Sequence, residues 1–255
     1  MARIIAGVPG DSQEATVVSS WRALLRRGGT SPEIGNPIVR PVVFVHGTRT
    51  SSEIWSPQLS AMGISGHECV AIDLPGHGSR LDERFTLSGA LETIDRAVDG
   101  CASPPLLVGL SLGGYSALAY AADHPDKLAG VMVSGCSTEI RGKPLGAYRS
   151  IAHRVSRIMR PSGGTWPVVT DMLRAIGGHS SLADLSHILV PVWLVNGQRD
   201  MLRFDERRFL AARPGTSLTV VRHAGHDVNT HAPIAFNRIL LGILHELRPR
   251  AHAVG

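Results

Sequence analysis

The segment that most constrains this chain is a serine set between two glycines, in residues 109–113 (GLSLG). An apolar run, residues 105–108 (PLLV), precedes it, and small and apolar residues follow it at 114–122 (GYSALAYAA). This pattern predicts a buried strand, a sharp turn at Ser111 and a helix, and only very small side chains fit beside such a turn. The turn would place the Ser111 hydroxyl beside the first N–H groups of the helix, which stabilise a developing oxyanion. The alternative is an ordinary tight turn with a solvent-facing serine.

From residue 41 onward, short apolar runs alternate with helical patterns. The predicted strands cover residues 41–45, 68–73, 106–110, 128–134, 190–196 and 217–222, and the predicted helices cover residues 86–101, 112–123, 204–212 and 233–247. Strands that are apolar on both faces and alternate with helices form a parallel sheet covered on both sides. The predicted fold class is therefore α/β, with a doubly wound, mostly parallel sheet and ligands bound beyond the carboxyl ends of its strands.

Two parts of the chain depart from this alternation. Residues 1–37 are interpreted as an N-terminal extension, helical or loop-like, preceding a core of residues 38–137 and 188–255. Residues 138–187 carry amphipathic patterns and are predicted to be a helical lid inserted into that core, although the same apolar stripe would also suit packing on the sheet. The apolar and aromatic residues of this insertion predicted to contact substrate are Tyr148, Ile151, Val155, Met159, Trp166 and Met172.

A serine nucleophile needs a base and a group that orients the base. Among twelve histidines, His226 is the candidate base because it lies between the last predicted strand and the last predicted helix, with His223 and His231 as alternatives. Asp200, in the turn after a predicted strand, is the candidate orienting acid. Asp205 is the alternative acid, but it lies at a predicted helix N-terminus, where a capping role is sufficient.

Residues 42–48 (VVFVHGT) are predicted to supply the remaining part of the site. Gly47 allows the loop after the strand to turn close to the nucleophile. The backbone N–H groups of Thr48 and Leu112 are the candidate oxyanion hole. His46 is expected to brace the loop through hydrogen bonds rather than to take part in catalysis.

Together these motifs resemble the α/β-hydrolase fold superfamily, in its short, lidded serine-hydrolase form. The matching segments are residues 45–47 (VHG), 73–79 (DLPGHGS), 109–114 (GLSLGG), 196–200 (NGQRD) and 225–226 (GH). The resemblance implies a Ser111–His226–Asp200 triad, no metal and no organic cofactor. Members of this family begin with a two-stranded hairpin, and residues 1–37 do not show that pattern.

The expected reaction is hydrolysis of a carboxylic ester or lactone of a small to medium, partly apolar substrate, through an acyl-enzyme. Two alternatives stay open. The basic residues between 141 and 160 would suit the thioester of an acyl carrier or of coenzyme A. The same fold also serves non-hydrolytic lyases and cyclases, and ligand receptors.

Composition narrows the remaining classes. The chain has 255 residues, 43% of them hydrophobic, and a formal charge of +5, but it carries no nucleic-acid-binding motif, so no nucleic-acid partner is expected. No apolar run is long enough to span a bilayer and the first residues do not form a signal peptide, so a cytoplasmic protein without membrane contact is expected. Cys69, Cys101 and Cys136 have neither disulfide nor metal-site spacing and are expected to be free thiols. A homodimer is compatible with the sequence.

Overall fold

The structure, a computed structural model, describes the backbone of residues 2–5 and the ranges 39–143 and 166–248. Within these ranges seven strands form one sheet in the order β1-β3-β2-β4-β5-β6-β7, and every neighbouring pair is parallel. The strands are β1 (Ala2–Ile5), β2 (Val42–Val45), β3 (Cys69–Ile72), β4 (Leu106–Leu110), β5 (Gly130–Ser134), β6 (Val192–Gly197) and β7 (Ser217–Val221).

The helices connect these strands and cover the sheet. They are α1 (Ser56–Ile64), α2 (Leu87–Asp99), α3 (Leu112–Asp123), α4 (Trp166–Gly177), α5 (Ser181–His187), α6 (Glu206–Ala212), α7 (Val228–His231) and α8 (Pro233–Glu246), with 3₁₀ turns at Ser52–Trp55 and Gly78–Arg80. None of the helices that the structure describes is both long enough and apolar enough to cross a membrane.

Both faces of the sheet are buried at strands β2 to β6, where successive residues point to opposite faces, whereas the edge strand β7 is mostly exposed. On β2, Val43 and Val45 join an apolar cluster with residues of α2, α3, α4 and α5. Val42 and Phe44 join a second cluster with residues of α1 and α8. Burying each such side chain contributes roughly 1.5–3 kcal/mol, which explains why these strands are apolar on both faces. The predicted doubly wound α/β sheet is confirmed.

The predicted strands and helices of the core occur at the expected places, with ends that differ by up to two residues. The sequence pattern missed α1, because its buried face includes Gln58 beside Leu59 and Met62 while Ile64 is exposed. It also missed α5, whose first turn is capped by Ser180 Oγ accepting a hydrogen bond from the Ala183 N–H group at 3.3 Å.

The two interruptions of the pattern are described only in part. Ala2–Ile5 form an edge strand paired with β3, where a helical or loop-like extension was expected. The apolar side chains of α4 and α5 pack in the same cluster as α3, so the described part of the insertion rests on the core. Residues 6–38 and 144–165, which make up most of the predicted extension and a large part of the predicted lid, lie outside the described residues.

We expect Phe44→Ala to lower the free energy of unfolding by about 3–5 kcal/mol, because the ring is fully buried and packs against Trp55 of the 3₁₀ turn. Phe204→Ala is the matched control, since that ring is 64% exposed and its loss should change stability by no more than about 0.5 kcal/mol. Urea unfolding followed by circular dichroism measures both. Equal losses in the two variants would contradict the placement of β2 at the centre of the core.

Candidate active site

Ser111 lies at the sharp turn from β4 to α3, in a conformation that serine rarely adopts. Its φ is 52° and its ψ is −113°, outside the regions favoured by residues that carry a Cβ. The Ser111 N–H group donates a hydrogen bond of 2.7 Å to the carbonyl of Ser134, at the end of β5. The turn is thereby fixed to the neighbouring strand, and the predicted strand–turn–helix around Ser111 is confirmed.

The glycines around Ser111 are required by close backbone contacts. A Cβ atom on Gly113 would lie 2.3 Å from the Val45 carbonyl oxygen, and one on Gly109 would lie 2.4 Å from the Gly113 carbonyl oxygen. A Cβ atom on Gly114 would lie 2.8 Å from the Sγ atom of Cys136, which is buried beneath α3. The helix can therefore begin this close to the sheet only because all three positions lack side chains.

His226 and Asp200, which follow different strands, meet at the carboxyl edge of the sheet. His226 Nδ1 lies 3.0 Å from Asp200 Oδ2 and 3.1 Å from Oδ1, and the two side chains are 11% and 1% exposed. Asp200 Oδ1 also accepts a hydrogen bond of 2.8 Å from the Leu202 N–H group. Since the carboxylate accepts the proton on Nδ1, Nε2 is the atom of the neutral imidazole that can act as a base.

The electrostatics of this pair favour its ionised form. Burial alone would lower the pKa of His226, but the hydrogen bond and charge of Asp200 outweigh it and raise the pKa above the usual value. Burial alone would raise the pKa of Asp200, but the hydrogen bond and charge of His226 and the Leu202 N–H group bring it below the usual value. The acid is therefore held as a carboxylate that can stabilise an imidazolium.

The sharp turn at Ser111, called the elbow below, and His226 both contact one segment at the end of β5. Gly135 has a φ of 66°, and a Cβ atom there would lie 2.8 Å from His226 Cε1. The carbonyl of the residue before it, Ser134, accepts a hydrogen bond from the Ser111 N–H group, so the Ser111 turn and the imidazole both contact this segment. Among the hydrogen bonds of the described residues, none joins Ser111 Oγ to His226. In free enzymes such contacts are often long and tighten when substrate binds.

The alternative candidates for the base and for the orienting acid make other contacts. The His223 side chain is exposed and 3.5 Å from Arg199. His231 Nδ1 accepts a hydrogen bond of 3.1 Å from the Gly225 N–H group and so supports the loop that carries the candidate base. Asp205 accepts from the Glu139 N–H group at 2.9 Å and pairs with Lys143.

The loop after β2 lies directly against the elbow. A Cβ atom on Gly47 would lie 3.3 Å from Ser111 Cβ. His46 is fully buried, where its Nδ1–H group donates to the Gly47 carbonyl at 2.8 Å and its Nε2 accepts from the Leu74 N–H group at 3.1 Å. Burial and the nearby His77 lower the pKa of His46 to about 3, so it is neutral. The expected bracing role of His46 is confirmed.

The predicted oxyanion hole consists of two backbone N–H groups of this region. Leu112 begins α3 and Thr48 follows Gly47. Neither N–H group donates to another of the residues that the structure describes. Asp73 anchors the far end of the Thr48 loop, because its Oδ1 accepts from the Ser52 N–H group at 2.7 Å and its Oδ2 from the Ser79 N–H group at 2.9 Å. The sequence motif includes Asp73 but does not indicate a role for it.

Of the residues predicted to contact substrate, only Met172 has a described side chain. It is 6% exposed and packs in the apolar cluster of the core. This packing resembles the alternative in which the apolar residues of the insertion cover the sheet. Trp166 begins α4, but its side chain is not described. The other four, Tyr148, Ile151, Val155 and Met159, lie outside the described residues.

An open surface cavity of about 430 Å³ lies beside the acid, and the sequence did not indicate it. It is lined by Asp200, Met201, Arg203 and Phe204. Within residues 39–143 and 166–248, no cluster of three or more His, Cys, Asp or Glu side chains could hold a metal ion.

Comparisons with known proteins identify the family of this chain. The model of the alpha/beta hydrolase family matches residues 42–239. An esterase of Mycobacterium tuberculosis, Rv0045c, is 25% identical in an alignment 285 positions long, which covers 94% of this chain and 92% of that protein. A pimeloyl-[acyl-carrier protein] methyl ester esterase of Neisseria meningitidis serogroup B is 28% identical over 229 residues, or 74% of this chain and 86% of that protein.

Solved structures share the fold at lower identity. A bromoperoxidase of Bacillus anthracis superposes with a TM-score of 0.69 at 17% identity, over 82% of this chain and 93% of that one. A monoacylglycerol lipase of Paleococcus ferrophilus superposes with a TM-score of 0.64 at 20% identity, over 83% of this chain and 98% of that one. The protein belongs to the alpha/beta hydrolase family. The resemblance inferred from the sequence motifs and the predicted enzyme class, an α/β-hydrolase, are confirmed.

We expect Gly135→Ala to displace the imidazole of His226 and weaken its hydrogen bond to Asp200, because the new methyl group would meet the ring. The pKa of His226, measured by NMR titration, should then fall towards the usual value for histidine. Gly142→Ala is the matched control: its φ of 77° carries a similar backbone cost of roughly 1–2 kcal/mol, but its Cβ would meet nothing within 4 Å. An unchanged pKa in Gly135→Ala would show that the imidazole does not rest on this segment.

Proposed function

We propose that the protein hydrolyses carboxylic esters through a triad of Ser111, His226 and Asp200. The observation that carries the proposal is the hydrogen bond of 3.0 Å between His226 and Asp200, beside the segment that also supports the strained Ser111 turn. A base with a defined tautomer beside a serine at a strand-to-helix turn is the arrangement needed for nucleophilic catalysis by serine. The family membership and the names of the esterase relatives support the same reaction class.

The reaction proceeds in two halves. In the first, His226 Nε2 accepts the proton of Ser111 Oγ as the oxygen attacks the ester carbonyl, and the resulting oxyanion is bound by the N–H groups of Thr48 and Leu112. The imidazolium then protonates the leaving alcohol, and the C–O bond of the ester breaks. In the second half, water attacks the acyl-enzyme while His226 accepts its proton and returns it to Ser111. Asp200 stabilises the imidazolium in both halves and is not itself protonated.

The proposed substrate is a small to medium, partly apolar ester or lactone. One relative is named as a methyl ester esterase, which supports ester cleavage. Within the insertion, Tyr148, Ile151, Val155, Met159, Trp166 and Met172 are the proposed contacts, with the buried packing of Met172 making it the weakest of them. No metal or organic cofactor takes part in this scheme. A cytoplasmic location and a homodimer also stay predictions.

A thioesterase is the second candidate. It is favoured by the relative that is named for an ester on an acyl carrier protein and by the basic residues that follow Glu139. One of these cations, Lys143, pairs with Asp205 and is partly neutralised. Turnover of a carrier-bound thioester that falls steeply with salt, while a small p-nitrophenyl ester is unaffected, would favour this candidate.

Ser111→Ala is expected to lower kcat on p-nitrophenyl butyrate by at least about 10⁴-fold, since the covalent step is lost. Ser88→Ala, which removes an exposed hydroxyl from α2, serves as the control and should keep full activity. A fluorophosphonate probe should label Ser111 in the unmodified enzyme. Full turnover by Ser111→Ala, or tight binding of a ligand that is never turned over, would contradict the proposal.

The pH dependence follows from the raised pKa of His226. The base must be neutral to act, so kcat/KM should rise with pH through a midpoint above the usual pKa of histidine. Asp200→Asn removes the group that raises this pKa, so the midpoint should move to lower pH while kcat falls by roughly 10⁴-fold. Asp99→Asn, at an exposed acid on α2, is the control. A midpoint that does not move in Asp200→Asn would exclude Asp200 as the partner of the base.

A further inference from the structure

The chain that leaves β5 is joined to the chain that follows Asp200 by a set of buried hydrogen bonds. The Thr138 hydroxyl donates to the Leu202 carbonyl at 2.6 Å and accepts from the Phe204 N–H group at 3.4 Å. The Asp205 N–H group donates to the Ser137 carbonyl at 3.0 Å. These contacts join residues more than 60 positions apart, so they belong to the tertiary structure and not to a local turn.

Thr138 stands at the start of a continuous path to the imidazole. Its hydroxyl binds the Leu202 carbonyl, the Leu202 N–H group binds Asp200 Oδ1 at 2.8 Å, and Asp200 binds His226 Nδ1. Thr138 is itself fixed, because it is fully buried and its carbonyl accepts a hydrogen bond of 2.7 Å from the Tyr115 hydroxyl on α3. The path therefore connects a rigid helix of the core with the orientation of the catalytic carboxylate.

The turn that carries the acid has few apolar contacts of its own. Met201 is 53% exposed and Phe204 is 64% exposed, so these two side chains do not fix the turn by packing. Leu202 is the one buried apolar residue between them. On the outer side, Arg203 reaches the Gly197 carbonyl at 3.3 Å and pairs with Glu206. Hydrogen bonds must therefore supply the rigidity that burial supplies elsewhere.

We infer that Thr138 is a positioning residue, whose hydroxyl orients Leu202 so that Asp200 presents its carboxylate to His226. The inference rests on the proposed Ser111–His226–Asp200 triad and adds a residue that touches neither substrate nor the reacting atoms. Its physical basis is the cost of leaving the buried Leu202 carbonyl without its donor, because the turn would shift to recover a partner. A displacement of about 1 Å of an acid–base group is enough to slow catalysis by about 10²-fold.

The test compares Thr138→Val with Thr93→Val. Valine nearly keeps the shape of threonine but cannot donate. The Thr93 hydroxyl on α2 likewise is mostly buried and donates to a backbone carbonyl, that of Gly89 at 2.7 Å. Thr93→Val also removes the hydroxyl that accepts from Arg80 at 2.6 Å and from Arg96 at 3.3 Å, so its melting temperature should fall at least as much as that of Thr138→Val. Only Thr138→Val should lose activity on p-nitrophenyl butyrate, with a fall in kcat of roughly 10–100-fold and little change in KM.

Two further readouts separate positioning from a general loss of stability. Thr138→Ser keeps the hydroxyl and should restore most of the kcat lost in Thr138→Val. The midpoint of the acidic limb of kcat/KM should move to lower pH in Thr138→Val, because a displaced Asp200 no longer raises the pKa of His226. The other charged groups that act on this pair, Asp227 and Arg203, are the same in every variant.

Ser111→Ala is measured in the same assays, so that failure of the proposed triad can be distinguished from failure of the proposed role of Thr138. Full turnover by Ser111→Ala would overturn the triad and the role of Thr138 with it. If Ser111→Ala is inactive while Thr138→Val matches Thr93→Val in kcat and in its pH profile, the inference alone is overturned. Equal impairment of Thr138→Val and Thr138→Ser would also overturn it, since the hydroxyl would then not be the cause.

Discussion

The strained backbone of Ser111 is the feature on which the rest of the site depends. A serine with positive φ costs about 1–3 kcal/mol and persists only where its surroundings fix it. Those surroundings come from strand register: β4 pairs with β2 through Val45 and Gly109 and with β5 through Leu110 and Ser134. The register brings the Ser134 carbonyl to the Ser111 N–H group and sets α3 against the end of β2.

Burial lowers the pKa of both histidines at this edge, but their neighbours differ, so the final pKa shifts are in opposite directions. His46 is fully buried next to another histidine, His77, and its pKa is lowered to about 3. His226 is also largely buried, but the Asp200 carboxylate faces its Nδ1 and raises its pKa. The first ring is suited to hold a loop as a neutral hydrogen-bonding group, and the second to gain and lose a proton.

The sequence was sufficient to predict where Ser111, His226 and Asp200 lie in the fold. The turn at Ser111 follows from its flanking glycines and apolar run, and His226 and Asp200 follow from their places after strands of a parallel sheet. The bonds formed by Asp73 and Thr138 could not be predicted, since each hydroxyl or carboxylate binds backbone groups of a distant segment. The edge strand β1 was missed because its four residues are too few to show a period.

The two halves of the site are held in different ways, and this determines how they respond to pH. The elbow and the Thr48 loop are fixed by backbone contacts at glycines and by His46, His77 and Asp73. Burial lowers the pKa of both histidines, and the N–H groups of Ser79 and Ser52 outweigh the effect of burial on Asp73 and lower the pKa of that carboxyl. These groups therefore keep their charge while His226 titrates. The other half depends on a bond between two ionisable side chains, so the response of activity to mildly acidic pH reports on that bond.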